Sequence, residues 1–442
     1  MMRKIVQIFF GIVILLMAGA VGAVEPVDCS VRDGLPFFSE KLRSGKTVTV
    51  VYFGGSITYA RHGWRELVSE WLNYKYPDVK FRHINAAVGG TGSDVGFFRL
   101  EKDVLIHRPD LVFVEFAVND RRKAALYTQR CMEGIVRNIR NRLPDSDICF
   151  VYTATAQDLK NFAGGIGMES VDAMEKVAEH YRLPGVFLAA DALRLYKKGK
   201  LRLQTDSRME LCRDDGKLLG LNLIETNGAE FGIALPVRVD REGRLVFSRD
   251  GIHPLFDTGH QLYFNMLRRA LPKLLQLQSL NSRSLPAPLD EENLANMRFL
   301  FPDSLKISGF PAEKLSKRSI PGRVYQNEIW KLSAGSELQL EFNGSMLLLN
   351  TLRGPDCGWV EFSVDDGKPV RVLNFTPIST IYTPANIMIP AATSGHHQLK
   401  LRVLDESVNK KKILDRSRRS VADKDPARFR ETNFYLRSIL AR

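Results

Sequence analysis

Cysteine is scarce and scattered in this chain. Its 442 residues include five, Cys29, Cys131, Cys149, Cys212 and Cys357. None forms a Cys-x-x-Cys pair or a Cys/His cluster at zinc spacing, which argues against a disulfide scaffold and against a structural zinc site. One or two disulfides remain compatible with an oxidising compartment. Long apolar runs are missing after the first 26 residues: no later segment approaches the roughly 18 residues that a membrane span needs. The phosphate-loop pattern Gly-x-x-x-x-Gly-Lys-Ser/Thr does not occur, and there is no internal repeat at a fixed period. The charge is unbalanced toward the basic side, +13 overall, and eleven Lys/Arg face four Asp/Glu between Lys410 and Arg442. Such a run reads as a solvated basic face or as a contact for an anionic polymer. No nucleic-acid-binding pattern accompanies it, so nucleic acid is not an expected partner.

The first 26 residues have a character of their own. Arg3 and Lys4 precede the apolar run IVQIFFGIVILLMAGAVGA, which ends on small residues before Val24-Glu25-Pro26. A basic start, an apolar centre and a small-residue cleavage site describe a secretory signal peptide over residues 1–23, with an uncleaved anchor as the alternative. The expected product is exported, to the periplasm or the outside, without stable membrane insertion after cleavage.

From Thr47 to about Leu277 the pattern alternates. Short β-branched and aromatic runs (47–53, 81–87, 111–118, 148–155, 185–190) are separated by amphipathic stretches near 60–75, 95–106, 121–142 and 168–181, with another at 256–277. Near-continuous apolar strands between helices predict an α/β domain over residues 24–280. Five parallel strands in a flavodoxin-like doubly wound sheet would be covered on both faces. Residues 202–248 interrupt the alternation with turn signals at Asp214-Asp215-Gly216, Asn227-Gly228 and Arg241-Glu242-Gly243, predicting a hairpin-like insert. Residues 281–295 are polar and proline-bearing, as a linker would be. Residues 296–442 carry short strand-like runs between turn signals at Asn343-Gly344, Asp365-Asp366-Gly367 and Ser394-Gly395, predicting an all-β sandwich of jelly-roll type.

The chemistry-bearing residues cluster at strand ends. Gly54-Gly55-Ser56 follows the first run, a loop with Gly90 and Gly92 the second, and Asn119-Asp120 the third, while Asp250-Gly-Ile-His253 comes after the insert. In a doubly wound sheet the carboxyl ends of the strands share one edge. A serine hydroxyl becomes a nucleophile when a base takes its proton, His253 can be that base, and Asp250 can orient the imidazole. The Ser56 N–H, the Gly90 N–H and the Asn119 amide are candidate donors to an oxyanion. Taken alone, Ser56 could equally be a helix cap, Asn119-Asp120 a turn, and Gly90 a tight bend. A lysine after the glycines is missing, so Ser56 is not part of a phosphate loop.

In order and spacing these four blocks resemble those of the SGNH hydrolases, the GDSL-type esterase/lipase superfamily, over roughly residues 45–277. The resemblance implies a serine hydrolase without metal or cofactor, with Ser56, Asp250 and His253 as the triad and Ser56, Gly90 and Asn119 as the oxyanion hole. Gly55 stands where the family's usual aspartate is, and Ala117 where a glycine is usual. Both place the chain away from the typical lipase branch, and the blocks together with the signal peptide and an attached β-sandwich suggest the carbohydrate-esterase-like branch. The expected function is an exported acetylesterase acting on acetylated polysaccharide or oligosaccharide. The alternatives are a lipase, thioesterase or O-acyltransferase of the same chemistry, and a glycan-binding protein on a retired esterase fold. Arg61, Trp64 and Arg121 are candidate substrate contacts, as a rim for a sugar or an acidic group, with helix-start solvation and packing as the alternative. Trp330 and Trp359 could form a sugar platform or fill a sandwich core. His260, about two helical turns past His253, reads as packing rather than as a second base.

Overall fold

The computed structural model describes residues 28–205, 209–212, 237–276, 284–300, 306–308, 312–316 and 328–441. The signal-like segment, the Asp214-Asp215-Gly216 and Asn227-Gly228 turns, and residues 281–283 of the expected linker lie outside them. Among the described residues, no helix is long and apolar enough to cross a membrane.

The N-terminal sheet has strands β1 (Cys29–Ser30), β2 (Val48–Gly54), β3 (Phe81–Asn85), β4 (Leu111–Glu115), β5 (Asp147–Tyr152) and β6 (Gly185–Phe187), in the order β1-β6-β5-β4-β2-β3. The five expected strands are all parallel. The sixth, β1, is a two-residue antiparallel addition at the β6 edge that the periodicity did not reveal, since two residues carry no period. Every residue of β2, β4 and β5 is buried, which is why these runs read as continuously apolar: helices cover both faces. The edge strand β3 is only partly covered. Helices Trp64–Lys75, Ser93–Asp103, Ala125–Arg142, Glu169–His180 and Gly259–Leu274 fall where amphipathic stretches are expected. Three more, Pro36–Arg43, Ala156–Ala163 and Ala190–Lys197, were not anticipated; eight residues are too few for a clear helical period.

β2 lies between β3 and β4, and this adjacency positions the candidate site. The turns leaving the carboxyl ends of three neighbouring parallel strands must sit side by side, so the segments carrying Ser56, Gly90 and Asn119 converge without any long-range device.

The insert forms a small sheet in the order Leu201–Gln204, Leu245–Ser248, Val237–Val239, Glu210–Cys212. The expected turn at Arg241-Glu242-Gly243 joins two of its antiparallel strands, and Gly243 has φ +74° there.

Among the described residues the C-terminal region is built on β-strands, as expected, nine of them in one hydrogen-bonded network, with two short helices, Lys410–Ile413 and Arg419–Lys424, before the last strand. Two expected turns are not turns. Glu337–Arg353 and Thr383–Val403 are continuous strands of 17 and 21 residues that run through Asn343-Gly344 and Ser394-Gly395. Asn343 pairs with His396 and Gly344 with Gly395, then the register shifts so that Met346 faces Pro390. Glycines signalling a turn thus mark an irregularity inside a ladder. Asp365-Asp366-Gly367 is a true turn: both aspartates have positive φ, 52° and 58°, and Gly367 N–H donates to the Val364 carbonyl at 2.9 Å. That geometry is the type I′ hairpin turn, whose twist matches its flanking strands.

The two regions share a core. Met346, Leu348 and Leu440 of the β region are buried within the same cluster as the α/β domain's interior. Residues 284–297 lie along helix Ala125–Arg142. Glu133 on that helix accepts hydrogen bonds from the Leu289 and Asp290 N–H groups, and fully buried Leu294 sits over Gly134, where a Cβ would come within 2.8 Å of it. The four described cysteine side chains, Cys29, Cys131, Cys149 and Cys357, are free thiols.

Removing this wedge should loosen both regions. Leu294→Ala is expected to lower stability by about 2–5 kcal/mol, the usual cost of truncating a buried leucine, read as a fall in the urea midpoint. An unchanged midpoint would mean that the contact contributes nothing.

Candidate active site

Strand β2 ends on Gly54 because nothing larger fits: a Cβ there would lie 2.7 Å from both the Glu115 carbonyl and the Thr58 hydroxyl. Gly55 then takes the cap position of a short helix, Ser56–Tyr59. Ser56 is the first helical residue, not the cap, so its hydroxyl is free of the helix end. It meets His253 instead, with Ser56 Oγ and His253 Nε2 2.9 Å apart. On the other side of the ring, His253 Nδ1 and Asp250 Oδ2 are 2.7 Å apart. A carboxylate there fixes the proton on Nδ1 and leaves Nε2 to accept from the serine.

Asp250 does two jobs with one carboxylate. Its Oδ2 holds the imidazole, and its Oδ1 accepts the Ile252 and His253 N–H groups, both at 2.8 Å. The Asp-x-x-His spacing follows from this: the three-residue turn closes on the side chain that orients the ring. Gly251, at φ +75°, permits the turn, and Ser248 ties it by donating to the His253 carbonyl at 2.8 Å and accepting from Gly251 N–H at 2.9 Å. Burial works against the Asp250 charge, but the hydrogen bonds from the His253 ring and from the His253 and Ile252 N–H groups prevail and hold its carboxyl down to about 2.

The expected oxyanion donors are brought to the same edge. Gly90 is exposed with φ +77°, and a Cβ there would touch nothing, so its need for glycine is one of backbone conformation and not of space. Asn119 is half-buried beside Gly55, where a Cβ would lie 1.9 Å from Asn119 Oδ1. This explains Gly55: a side chain at that position would collide with the Asn119 amide. Asp120 ties the turns together. Its two oxygens accept the Ser93 N–H, each at 3.2 Å, and Lys123 bridges Asp120, at 2.9 Å, to Asp94. The loop carrying Gly90 is thereby fastened to the turn carrying Asn119.

Glu115 is a supporting residue that the sequence reading missed. It is fully buried, and its carboxyl accepts from the Thr58 hydroxyl at 2.9 Å, the Thr153 hydroxyl at 2.6 Å and the Gly55 N–H. Burial raises its pKa, and these donors oppose the rise. The available signal was a lone acid in the run LVFVEFAV (111–118), where an unpaired charge is not tolerated.

The candidate substrate contacts separate. Arg61 is exposed, and Arg121 lines a cavity beside the Asp250 turn. Trp64 is not a rim residue: it is fully buried, packs edge-on against Tyr52 and Phe113, and its backbone N–H donates to His260 Nδ1 at 3.3 Å. As the first residue of helix Trp64–Lys75 it packs inward, and packing claims it. His260 is packing as expected. Burial first, and nearby His253 second, push its ring down to about 3. Trp330 and Trp359 are half-buried, each with a cation over its ring, Lys314 at 5.5 Å and Arg371 at 5.7 Å. Among the described residues no group of three or more His, Cys, Asp or Glu side chains is arranged to hold a metal ion.

Residues 52–207 match the GDSL-like Lipase/Acylhydrolase family. No curated protein matches the chain. Among solved structures, a two-domain esterase (CEX) active on acetylated mannans, co-crystallized with mannopentaose, is 19% identical with a TM-score of 0.65, covering 94% of this chain and 98% of that one. A second structure of a two-domain esterase (CEX) active on acetylated mannans is 18% identical, also with a TM-score of 0.65, covering 93% and 98%. A catalytic mutant of an acetylxylan esterase from Geobacillus stearothermophilus (Axe2) is 14% identical with a TM-score of 0.34, covering 51% of this chain and 94% of that one. At these identities the first two establish a shared two-domain fold.

The steric argument for Gly55 is testable. Gly55→Ala is expected to displace the Asn119 amide and cut kcat on an aryl acetate by about 10²-fold or more, the scale of losing one oxyanion donor, with little change in KM. Full activity would show that Asn119 is not held against this turn.

Proposed function

Starting from a chain whose residues 52–207 carry a GDSL-like lipase/acylhydrolase domain, and which is therefore a carboxylic ester hydrolase, we propose that it removes O-acetyl groups from polysaccharide or oligosaccharide. The observation that carries this reading is the Ser56–His253–Asp250 relay, at 2.9 and 2.7 Å, with Asn119 against Gly55 and the loop leading to Gly90 tied to Gly54 through the Val88 N–H at 2.9 Å. Ser56 Oγ attacks the acetyl carbonyl as His253 Nε2 takes its proton, and Asp250 stabilises the resulting imidazolium. The Ser56 and Gly90 N–H groups and the Asn119 amide receive the negative charge on the carbonyl oxygen. His253 returns the proton to the departing sugar hydroxyl. A water molecule deprotonated by His253 then attacks the acetyl-Ser56 ester, and His253 returns the proton to Ser56 Oγ as acetate leaves.

Two observations support a small acyl group on a large polar alcohol. His253 and Asp250 are about half exposed, at 49% and 53% of their side chains, so the reacting edge opens to solvent. The cavity beside it mixes arginine, lysine and glutamine with Tyr196, Leu203 and Ile252, and is not a wholly apolar lining for a long acyl chain. The fold shared along nearly its whole length with an esterase active on acetylated mannans points the same way. The lipase and thioesterase readings lack such support. Export, in keeping with a polysaccharide substrate, is part of the proposal.

The protein should free acetate from acetylated oligosaccharides and hydrolyse aryl acetates, and Ser56→Ala should abolish both. No activity on any acetylated glycan or aryl acetate would overturn the reading. Asp250→Asn should lower kcat by about 10³–10⁴-fold, as loss of the orienting carboxylate does in other triads. The pH dependence has a defined sign. A carboxyl held at about 2 stays ionised through the ordinary acid range and loses its charge only as pH falls toward that value. Loss of activity at moderately acid pH therefore titrates on another group. Asp250→Asn should depress the whole profile, and a shift of the acid limb alone would contradict this.

A further inference from the structure

A cavity of about 530 Å³ opens beside the candidate site, and the Asp250-Gly251-Ile252 turn is one of its walls. Four cationic side chains line it: Arg121, Arg122, Lys160 and Arg202. They come from separate places in the chain. Arg121 and Arg122 follow the Asn119 turn, Lys160 lies on helix Ala156–Ala163, and Arg202 lies on the first strand of the insert. Among the described residues none of the four pairs with a carboxylate; Arg121 donates to the Val118 carbonyl at 3.1 Å and Arg202 to the Gln204 carbonyl at 3.2 Å.

The two carboxylates in the same wall are already engaged. Asp158 is buried and accepts from the Thr155 N–H and hydroxyl, at 2.9 and 2.7 Å, as the box capping its helix. Asp250 holds His253 and two backbone N–H groups. Charges of one sign lining a concave surface repel one another, and an anion between them relieves that repulsion. Elsewhere on this protein exposed arginines do find partners, as Arg182 does with Asp33 and Arg194 with Asp191. What sets these four apart is that they converge on one cavity.

We propose that this cavity binds the carboxylate of a uronic-acid unit next to the acetylated sugar, so that the substrate is an acidic acetylated glycan and not a neutral one. The inference rests on the acetylesterase reading and specifies its substrate class. Arg122 and Lys160 are exposed, come from different elements and both line the cavity, and Arg forks suit carboxylates. Arg121, two residues past Asn119, links carboxylate recognition to the turn that presents the oxyanion donor. The binding step is non-covalent, and the acetyl transfer is the one already described.

The test separates binding from hydrolysis. Ser56→Ala protein is titrated calorimetrically with trigalacturonate and with mannotriose at low salt. Preference for trigalacturonate by about tenfold or more is expected, weakening as salt screens the charges. Adding Arg122→Ala and Lys160→Ala should remove the preference, and the charge-preserving pair Arg122→Lys and Lys160→Arg should retain most of it. Equal affinity for the two trisaccharides, or a preference that survives both alanines, would overturn the proposal. So would inorganic sulfate binding as tightly as trigalacturonate at equal ionic strength, which would mark a site for small anions. On the wild type, kcat/KM for acetylated oligogalacturonides over that for acetylated mannooligosaccharides should likewise exceed about tenfold. If aryl acetate and both glycans are inert, the esterase reading fails by itself, and the trisaccharide titration still decides the cavity.

Discussion

The arrangement at the candidate site depends on one carboxylate. Asp250 closes its own turn with one oxygen and orients His253 with the other. Opening the turn would therefore displace the carboxylate that orients the imidazole. Two backbone donors and a ring donor on a single group also keep it ionised, at about 2, despite partial burial. The tautomer that leaves Nε2 facing Ser56 follows from the same contacts.

The other half of the site depends on the order of three strands. With β2 between β3 and β4, the Ser56, Gly90 and Asn119 turns are neighbours by topology, and close packing does the rest. Gly54 and Gly55 let the Glu115 carbonyl and the Asn119 amide approach the β2 turn more closely than any side chain would allow. Asp120 fastens the Gly90 loop through the Ser93 N–H, and Glu115 fastens Gly55 and Thr58 from below. Buried carboxyls in these places are costly unless fully hydrogen-bonded, and each has its donors. The β region is joined to this body through Met346, Leu348 and Leu440. The α/β region therefore does not close its core alone, and the two regions are expected to be stable together.

The parallel strands were legible because burial on both faces makes each run nearly continuous in apolar residues, and the site blocks because their residue types are rare in combination at strand ends. The turn at Asp365-Asp366-Gly367 was legible because only a few residue types accept two positive φ values in succession. Asn343-Gly344 and Ser394-Gly395 misled for the converse reason: glycine permits a turn but does not require one, and here two long strands pair across the irregularity. Trp64 misled because proximity in sequence to Ser56 says nothing about which face of the following helix meets the sheet.

The sequence by itself determined which chemistry was available: a serine after a glycine pair, a histidine three residues past an aspartate, and donors at the ends of neighbouring strands. These are local patterns, set by backbone conformation and residue type. Only the tertiary structure decided that Gly55 leaves room for Asn119, that Glu115 and Asp120 brace the turns, that Trp64 is interior, and that Arg121, Arg122, Lys160 and Arg202 share one cavity. Each of these depends on side chains tens of residues apart coming within a few ångströms, and no local pattern encodes such a distance.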